Sequence, residues 1–195
     1  MTASFVTYNP AISSPAPVAQ MGSGGAPNPV AVHTLTSSEQ GLIIANDPAS
    51  VQVDTSTSPV SVVSNPNFWS QRGAFYTAQQ AAIVKSGFNA AISAPFAFTN
   101  AAGVASSYAM EPQSQFIYSQ SMQNYVIAGE SLPSGFTIRD INGVPQTFTV
   151  ADIKSLYTSI VSFIQSCNAT LDSTLANIAS STDYSNCISY VWVTP

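Results

Sequence analysis

The sequence has 195 residues, of which 7% are charged and 45% hydrophobic, and its formal net charge is −5. Average soluble proteins carry about 25% charged residues. The four basic residues form no stripe, which argues against nucleic acid as a partner. No apolar run is long enough for a membrane span. A surface with so few charges is poorly protected against association. We therefore expect a subunit largely covered by partners, the alternative being a protein weakly charged by chance.

The first segment, residues 1–65, is rich in proline and glycine, which exclude long helices. We predict an extended arm over residues 1–29 that is either mobile or ordered on a neighbouring protein. Short strands are predicted to follow at residues 30–35, 41–45, 51–53 and 60–63. No Lys or Arg precedes Arg72. We therefore expect neither a secretory signal nor a mitochondrial transit peptide.

The second segment, residues 66–130, begins with a predicted helix over 66–93, capped by Asn65 and ended by Gly87. Its aromatic-rich face indicates packing, either within one chain or between copies. Residues 94–114 are predicted to be a loop with one short strand. Residues 115–128 favour a short helix over two strands. The residues of the first helix that we expect at an interface are Phe68, Trp69, Phe75 and Tyr76.

The third segment, residues 131–195, starts with a predicted β-hairpin around Asn142-Gly143, with arms at 136–141 and 144–148. A helix of about thirty residues is predicted next. Thr149 and Asp152 have the spacing of a capping box at its start. After residue 178 we expect a short turn or helix over 182–188. A terminal apolar segment, 190–193, is expected to pack on the long helix or the hairpin.

The long helix carries apolar residues at alternating steps of four and three, which is the spacing of a coiled-coil seam. This spacing predicts self-association, most plausibly as a trimer. The residues of the seam are Ile153, Tyr157, Ile160, Ile164, Cys167, Leu171, Leu175 and Ile178.

The residue types that support catalysis are sparse. His33 is the only histidine, and the nine carboxylates are spread thinly along the chain. The sequence shows neither a phosphate-binding loop nor a metal-ligand cluster, so we expect no cofactor, no metal and no enzymatic activity. Cys167 and Cys187 could pair if the chain doubles back. A buried free thiol is the favoured alternative for Cys167.

The run from Phe136 to Leu156, with its Asn-Gly turn and Thr-Val-Ala-Asp helix start, is similar to the C-terminal modules of bacteriophage tail-fibre and baseplate proteins. The resemblance covers about residues 120–195. It implies a virion structural protein, assembled in the host cytoplasm and located in the tail, whose partners are copies of itself and other tail proteins. The alternative is a receptor- or carbohydrate-binding tip in which Tyr108, Tyr118 and Tyr125 stack on sugars.

Together these patterns predict an α+β protein. An extended N-terminal arm with short strands is followed by a middle helix, and then by a β-hairpin that leads into a long C-terminal helix in an oligomeric bundle.

Overall fold

The computed structural model describes residues 3–11, 14–22 and 31–195, and it is a mixed α+β protein. The chain forms two compact units. Unit 1 combines residues 1–78 with 181–189, and unit 2 combines residues 79–180 with 190–195. Each unit therefore joins parts of the chain that the three sequence segments separate.

Unit 1 is built on a curled antiparallel sheet of five strands in the order β3-β1-β2-β4-β5. The predicted arm is therefore wrong over residues 3–11 and 14–22, while residues 23–30 lie outside the described residues. Pairing within the chain satisfies the backbone groups that a free arm would leave to a neighbour. The strands are β1 (Phe5–Tyr8), β2 (Ala16–Gly22), β3 (Ala31–Thr34), β4 (Val51–Asp54) and β5 (Ser61–Ser64).

Strand β2 changes neighbour along its length. Ala16 and Pro17 pair with β4, whereas the part from Val18 to Gly22 pairs with β1. Pro17 thus has no partner in β1, and its missing N–H leaves no gap in that ladder. The sheet packs its apolar face into a core that includes Val6, Ala16, Leu35, Val51, Val53 and Val62.

Three of the four predicted strand regions are confirmed, at residues 30–35, 51–53 and 60–63. The strand predicted at 41–45 is wrong. The chain instead forms helix α1 (Ser37–Gln40) and then turns, with Ala45 at φ 53° and Asn46 at φ 55°. These left-handed conformations are incompatible with an extended strand. A short 3-10 helix, Pro48–Ser50, leads into β4.

Helix α2 (Phe68–Ser93) confirms the predicted middle helix, but Gly87 does not end it. Within unit 2, a Cβ atom on Gly87 would lie only 2.6 Å from Cβ of Trp192. The glycine is therefore explained by the close approach of the C-terminal tail rather than by helix termination. Gln80 Nε2 also donates to the carbonyl of Tyr190 at 2.7 Å. The tail thus packs on α2, whereas the sequence predicted packing on the long helix or the hairpin.

Two hairpins lie in unit 2. Strands β6 (Phe96–Thr99) and β7 (Ala105–Tyr108) form the first, where the sequence predicted a loop with one strand. Strands β8 (Thr137–Arg139) and β9 (Pro145–Thr147) form the second, which confirms the predicted hairpin. Its connection is longer than a two-residue turn, and Gly143 adopts φ 76°. The Asp140 carboxylate accepts the N–H groups of Asn142 and Val144 across this turn.

Three further helices lie where the sequence predicted helical segments. Helix α3 (Pro112–Ser121) continues into a wider π-helical turn, Met122–Ile127. Helix α4 (Val150–Ala179) is the predicted long helix, and helix α5 (Tyr184–Ser189) belongs to unit 1. The core of unit 2 contains Tyr108, Met110, Tyr118, Ile138, Phe148, Ile153, Leu156 and Ile160.

Candidate functional site

The predicted seam on α4 divides into two rows. Ile153, Ile160 and Cys167 follow each other at intervals of seven residues, and all three are buried within the chain. Tyr157, Ile164 and Leu171 form the second row at the same interval, and these residues are half-buried. Ile153 and Ile160 belong to the core of unit 2, while Tyr157 and Ile164 pack at its edge. The second row is therefore the part of the seam that a partner could reach.

The remaining predicted interface residues also divide by exposure. Ile178, Phe68 and Tyr76 are buried, whereas Leu175 and Trp69 are half-buried. Phe75 is the exception, with 51% of its surface exposed. Self-association through the twelve predicted residues stays a prediction, and burial within the chain limits it to the half-buried and exposed members.

A second apolar surface lies on α3 and its π-helical continuation, where the sequence indicated no interface. Phe116 is 63% exposed and Ile127 is 64% exposed, with Ile117 beside Phe116. The inner side of this element packs on α4. Phe116 and Ile117 are adjacent in the chain, and exposed apolar patches are typical of protein interaction sites.

The tyrosines proposed to stack on sugars face inward. Tyr108 and Tyr118 are buried, and Tyr118 donates its hydroxyl to the carbonyl of Ala109. Tyr125 packs edge-on against Phe136, with ring centroids 5.3 Å apart. Tyr108 and Tyr118 therefore offer no ring face to a sugar, and the stacking arrangement expected for them is wrong.

Cys167 and Cys187 are both buried free thiols. The favoured alternative for Cys167 is thus confirmed. Burial raises the pKa of each thiol, which makes the reactive thiolate scarcer at neutral pH.

His33 contacts a buried carboxylate rather than a nucleophile. Its Nε2 lies 2.9 Å from Oε1 of Glu39. Glu39 also accepts the N–H and the hydroxyl of Thr36 and the N–H of Val62. Burial alone would raise the pKa of Glu39, but these hydrogen bonds outweigh burial and lower it to about 2. The pair joins α1 to strands β3 and β5 and explains the histidine structurally.

Asp47 is the centre of a polar cluster in unit 1. It caps the short 3-10 helix by accepting the N–H of Ala49, and it also accepts Nε–H of Arg72 at 2.7 Å and the hydroxyl of Tyr76 at 2.9 Å. Burial alone would raise the pKa of Asp47, but these bonds hold it below its usual range. Burial and the bond to Asp47 raise the pKa of Tyr76 to about 12.

A pocket of about 390 Å³ opens beside this cluster. One wall is apolar and is formed by residues of β2 and of the 3-10 helix. The polar part of the lining consists of the side chains of Gln52, Asn65, Gln71 and Arg72, beside Asp47. No sequence motif indicated this site, because its residues are scattered along the chain. The one signal in the sequence is Arg72, which is the first basic residue. The lining residues are Pro17, Val18, Asp47, Pro48, Ala49, Val51, Gln52, Asn65, Gln71 and Arg72.

Asp152 confirms the predicted capping box at the start of α4. Its carboxylate accepts the N–H and hydroxyl of Thr149. It also accepts the N–H of Ala101 at 2.7 Å, which ties the β6–β7 turn to the helix. Burial alone would raise the pKa of Asp152, but these bonds lower it.

Over residues 3–11, 14–22 and 31–195, no group of three or more His, Cys, Asp or Glu side chains is placed to hold a metal ion. No helix in the same ranges has the length and apolar character needed to cross a membrane. Comparison with protein families, curated proteins and solved structures finds no match to this chain.

Proposed function

We propose that this chain is a non-enzymatic structural subunit of a phage tail fibre or baseplate. It assembles with copies of itself, as a trimer, and with other tail proteins of the virion. The observation that carries the proposal is the half-buried row on α4. This row keeps the heptad spacing of a coiled-coil seam after the neighbouring row has been used for the core of the chain itself.

The charge-poor composition supports the same role. With 7% charged residues, the surface offers little electrostatic opposition to assembly. The exposed side chains of Phe116 and Ile127 add apolar area that a partner would cover. Burial of apolar surface stabilises such contacts by roughly 25 cal/mol per Å².

The buried carboxylates favour a structural role over a catalytic one. Glu39, Asp47 and Asp152 each accept at least three hydrogen bonds, and their pKa values are lowered. A general acid needs a pKa near the working pH. These groups are instead held as permanent anions that join distant parts of each unit.

The way in which the N-terminal segment would anchor the chain to a neighbouring protein differs from the sequence prediction. Strands β1 and β2 are ordered by the sheet of their own chain. Anchoring to a neighbour would therefore use the outer surface of a folded unit rather than a free arm.

Sedimentation equilibrium over a wide range of concentration tests the proposal, with Leu171→Glu as the main variant. Leu171 is half-buried and lies outside both core clusters, so we expect the variant to fold and to lose mass toward the monomer. Asn168→Glu adds the same charge one turn earlier at an exposed position and should keep the wild-type mass. Ile160→Asp is a poor test, since Ile160 is only 4% exposed. A wild-type monomer at every concentration would contradict the proposal.

The alternative function is a receptor- or carbohydrate-binding tip. The inward-facing tyrosines no longer support it, and the polar pocket beside Arg72 is the observation in its favour.

A further inference from the structure

We propose that the pocket of unit 1 binds an acidic monosaccharide unit, with its carboxylate on Arg72 and its ring against the apolar wall. This inference gives the alternative function a site and a ligand class, and it is independent of the assembly role.

The guanidinium of Arg72 is fixed in place. Its Nε–H donates to Asp47, and its Cζ lies over the ring of Phe75, 4.9 Å from the ring centroid. The hydrogen bond of the guanidinium to Asp47 uses Nε–H and neither of the terminal nitrogens. The two terminal nitrogens therefore remain as a pre-oriented fork of the kind that binds a carboxylate through two parallel hydrogen bonds.

The amides of the pocket are arranged in a chain. Gln52 Nε2 donates to Oδ1 of Asn65 at 3.3 Å, and Asn65 Nδ2 donates to Oε1 of Gln71 at 3.2 Å. This order leaves the donor end of Gln71 and the acceptor end of Gln52 for a ligand. One end can donate to a sugar oxygen, and the other can accept from a sugar hydroxyl.

The charge of the site favours a carboxylate over a phosphate. Asp47 already neutralises Arg72, and its carboxylate oxygens are engaged by Ala49, Arg72 and Tyr76. A phosphate dianion would bring two negative charges to Arg72, whose own charge is already neutralised by Asp47. A carboxylate brings one charge and matches the planar fork. The apolar C–H face of a sugar ring can pack against Pro17, Val18 and Pro48.

The pocket is also of suitable size. Its volume of about 390 Å³ lies within the range of small-molecule sites, about 300–1,000 Å³. Among the residues that the structure describes, those that line the pocket all belong to unit 1.

Titration of the full chain with glucuronate, followed by NMR of the side-chain amides, tests the proposal. We expect saturable shifts of the Gln52 and Gln71 amide signals. Glucose at the same concentrations should bind at least about tenfold more weakly, because it lacks the charge-assisted hydrogen bonds. Equal binding of the two sugars, or no binding of glucuronate at about 20 mM, would overturn the proposal, as would tighter binding of inorganic phosphate.

Two variants locate the site. Arg72→Lys keeps the charge beside Asp47 but removes the fork, and Gln71→Glu places a carboxylate at the pocket rim. Each should weaken glucuronate binding by about tenfold or more. Gln79→Glu makes the same change at an exposed position of α2 outside the pocket and should bind as the wild type does. Unchanged binding by both pocket variants would refute the assignment.

The assembly role has a separate outcome. Leu171→Glu should bind glucuronate normally even as it lowers the mass, and Arg72→Lys should keep the wild-type mass. Failure of one proposal therefore leaves the other standing.

Discussion

The two units use the same local motif at the start of two very different helices. In unit 1, Thr36 and Glu39 form a capping box on α1, which is 4 residues long. In unit 2, Thr149 and Asp152 form one on α4, which is 30 residues long. Each carboxylate also accepts a backbone N–H from a distant part of its own unit, Val62 for Glu39 and Ala101 for Asp152.

The difference lies in what each helix contributes without the carboxylate. A single turn such as α1 is not stable alone, because the free energy needed to nucleate a helix exceeds the free energy that the hydrogen bonds of one turn provide. Glu39 therefore holds α1 in place through its bonds to β3 and β5. Helix α4 has a buried apolar row of its own and needs Asp152 mainly to fix the β6–β7 turn. Both carboxylates make a tertiary contact, but the whole of α1 depends on Glu39, whereas α4 depends on Asp152 only at its first turn.

The largest expected effect is that of Glu39→Ala. The variant leaves the buried N–H of Val62 without its acceptor and releases α1, so we expect a loss of about 3 kcal/mol in the free energy of unfolding, measured by urea denaturation. Asp172→Ala removes an exposed carboxylate and should stay within about 0.5 kcal/mol of the wild type. A cost below that of Asp152→Ala would contradict the comparison.

Acid should weaken unit 1 through the same group. The pKa of Glu39 is lowered from 4.5 to about 2 in the folded chain. A lowered pKa gives stability that is complete above the unfolded value and is lost as pH falls through the folded one. We expect the free energy of unfolding to fall between about pH 5 and pH 2, by at most about 3 kcal/mol from Glu39. The slope should be shallower in Glu39→Gln, and identical slopes would argue against the assignment.

Asp152→Ala should cost less, about 2 kcal/mol, because it removes a helix cap and the acceptor of the Ala101 N–H while the packed face of α4 remains. Amide exchange should accelerate at Ala101 and in the first turn of α4. Exchange in the second half of the helix should be unchanged. Uniform acceleration along α4 would show that the cap supports the whole helix.

The smallest expected changes in stability are those of removing the hydroxyl groups of two buried tyrosines, Tyr76 and Tyr108. The hydroxyl of Tyr76 donates to Asp47, so Tyr76→Phe in unit 1 should cost about 1–2 kcal/mol. The hydroxyl of Tyr108 is buried in unit 2 and has no hydrogen-bond partner among the described residues. Tyr108→Phe should therefore be neutral or stabilise the protein by up to about 1 kcal/mol, as read from the midpoint of urea unfolding. A larger loss for Tyr108→Phe than for Tyr76→Phe would reverse this expectation.

The features that could be predicted from the sequence are local. Thr149 and Asp152 are three residues apart, so their capping box is visible in the sequence, and the alternation in β4 and β5 is equally short in range. Strand β2 escaped prediction because Pro17 interrupts the pattern and because one of its two partners, β4, lies more than thirty residues away, as in the pair Ala16 and Val53. The pocket escaped for the same reason, because Gln52, Asn65 and Arg72 meet through sheet and helix packing that no single stretch encodes.

In this structure, strands β1 and β2 belong to a folded unit rather than to an arm that only a partner would order. Hydrogen exchange on the purified chain, without other proteins, tests it most directly at the backbone amides of β1 and β4. We expect strong protection at Val6 and Val53, which are both fully buried in the sheet. Exchange of β1 at the rate of an unstructured peptide, with α4 protected, would contradict it.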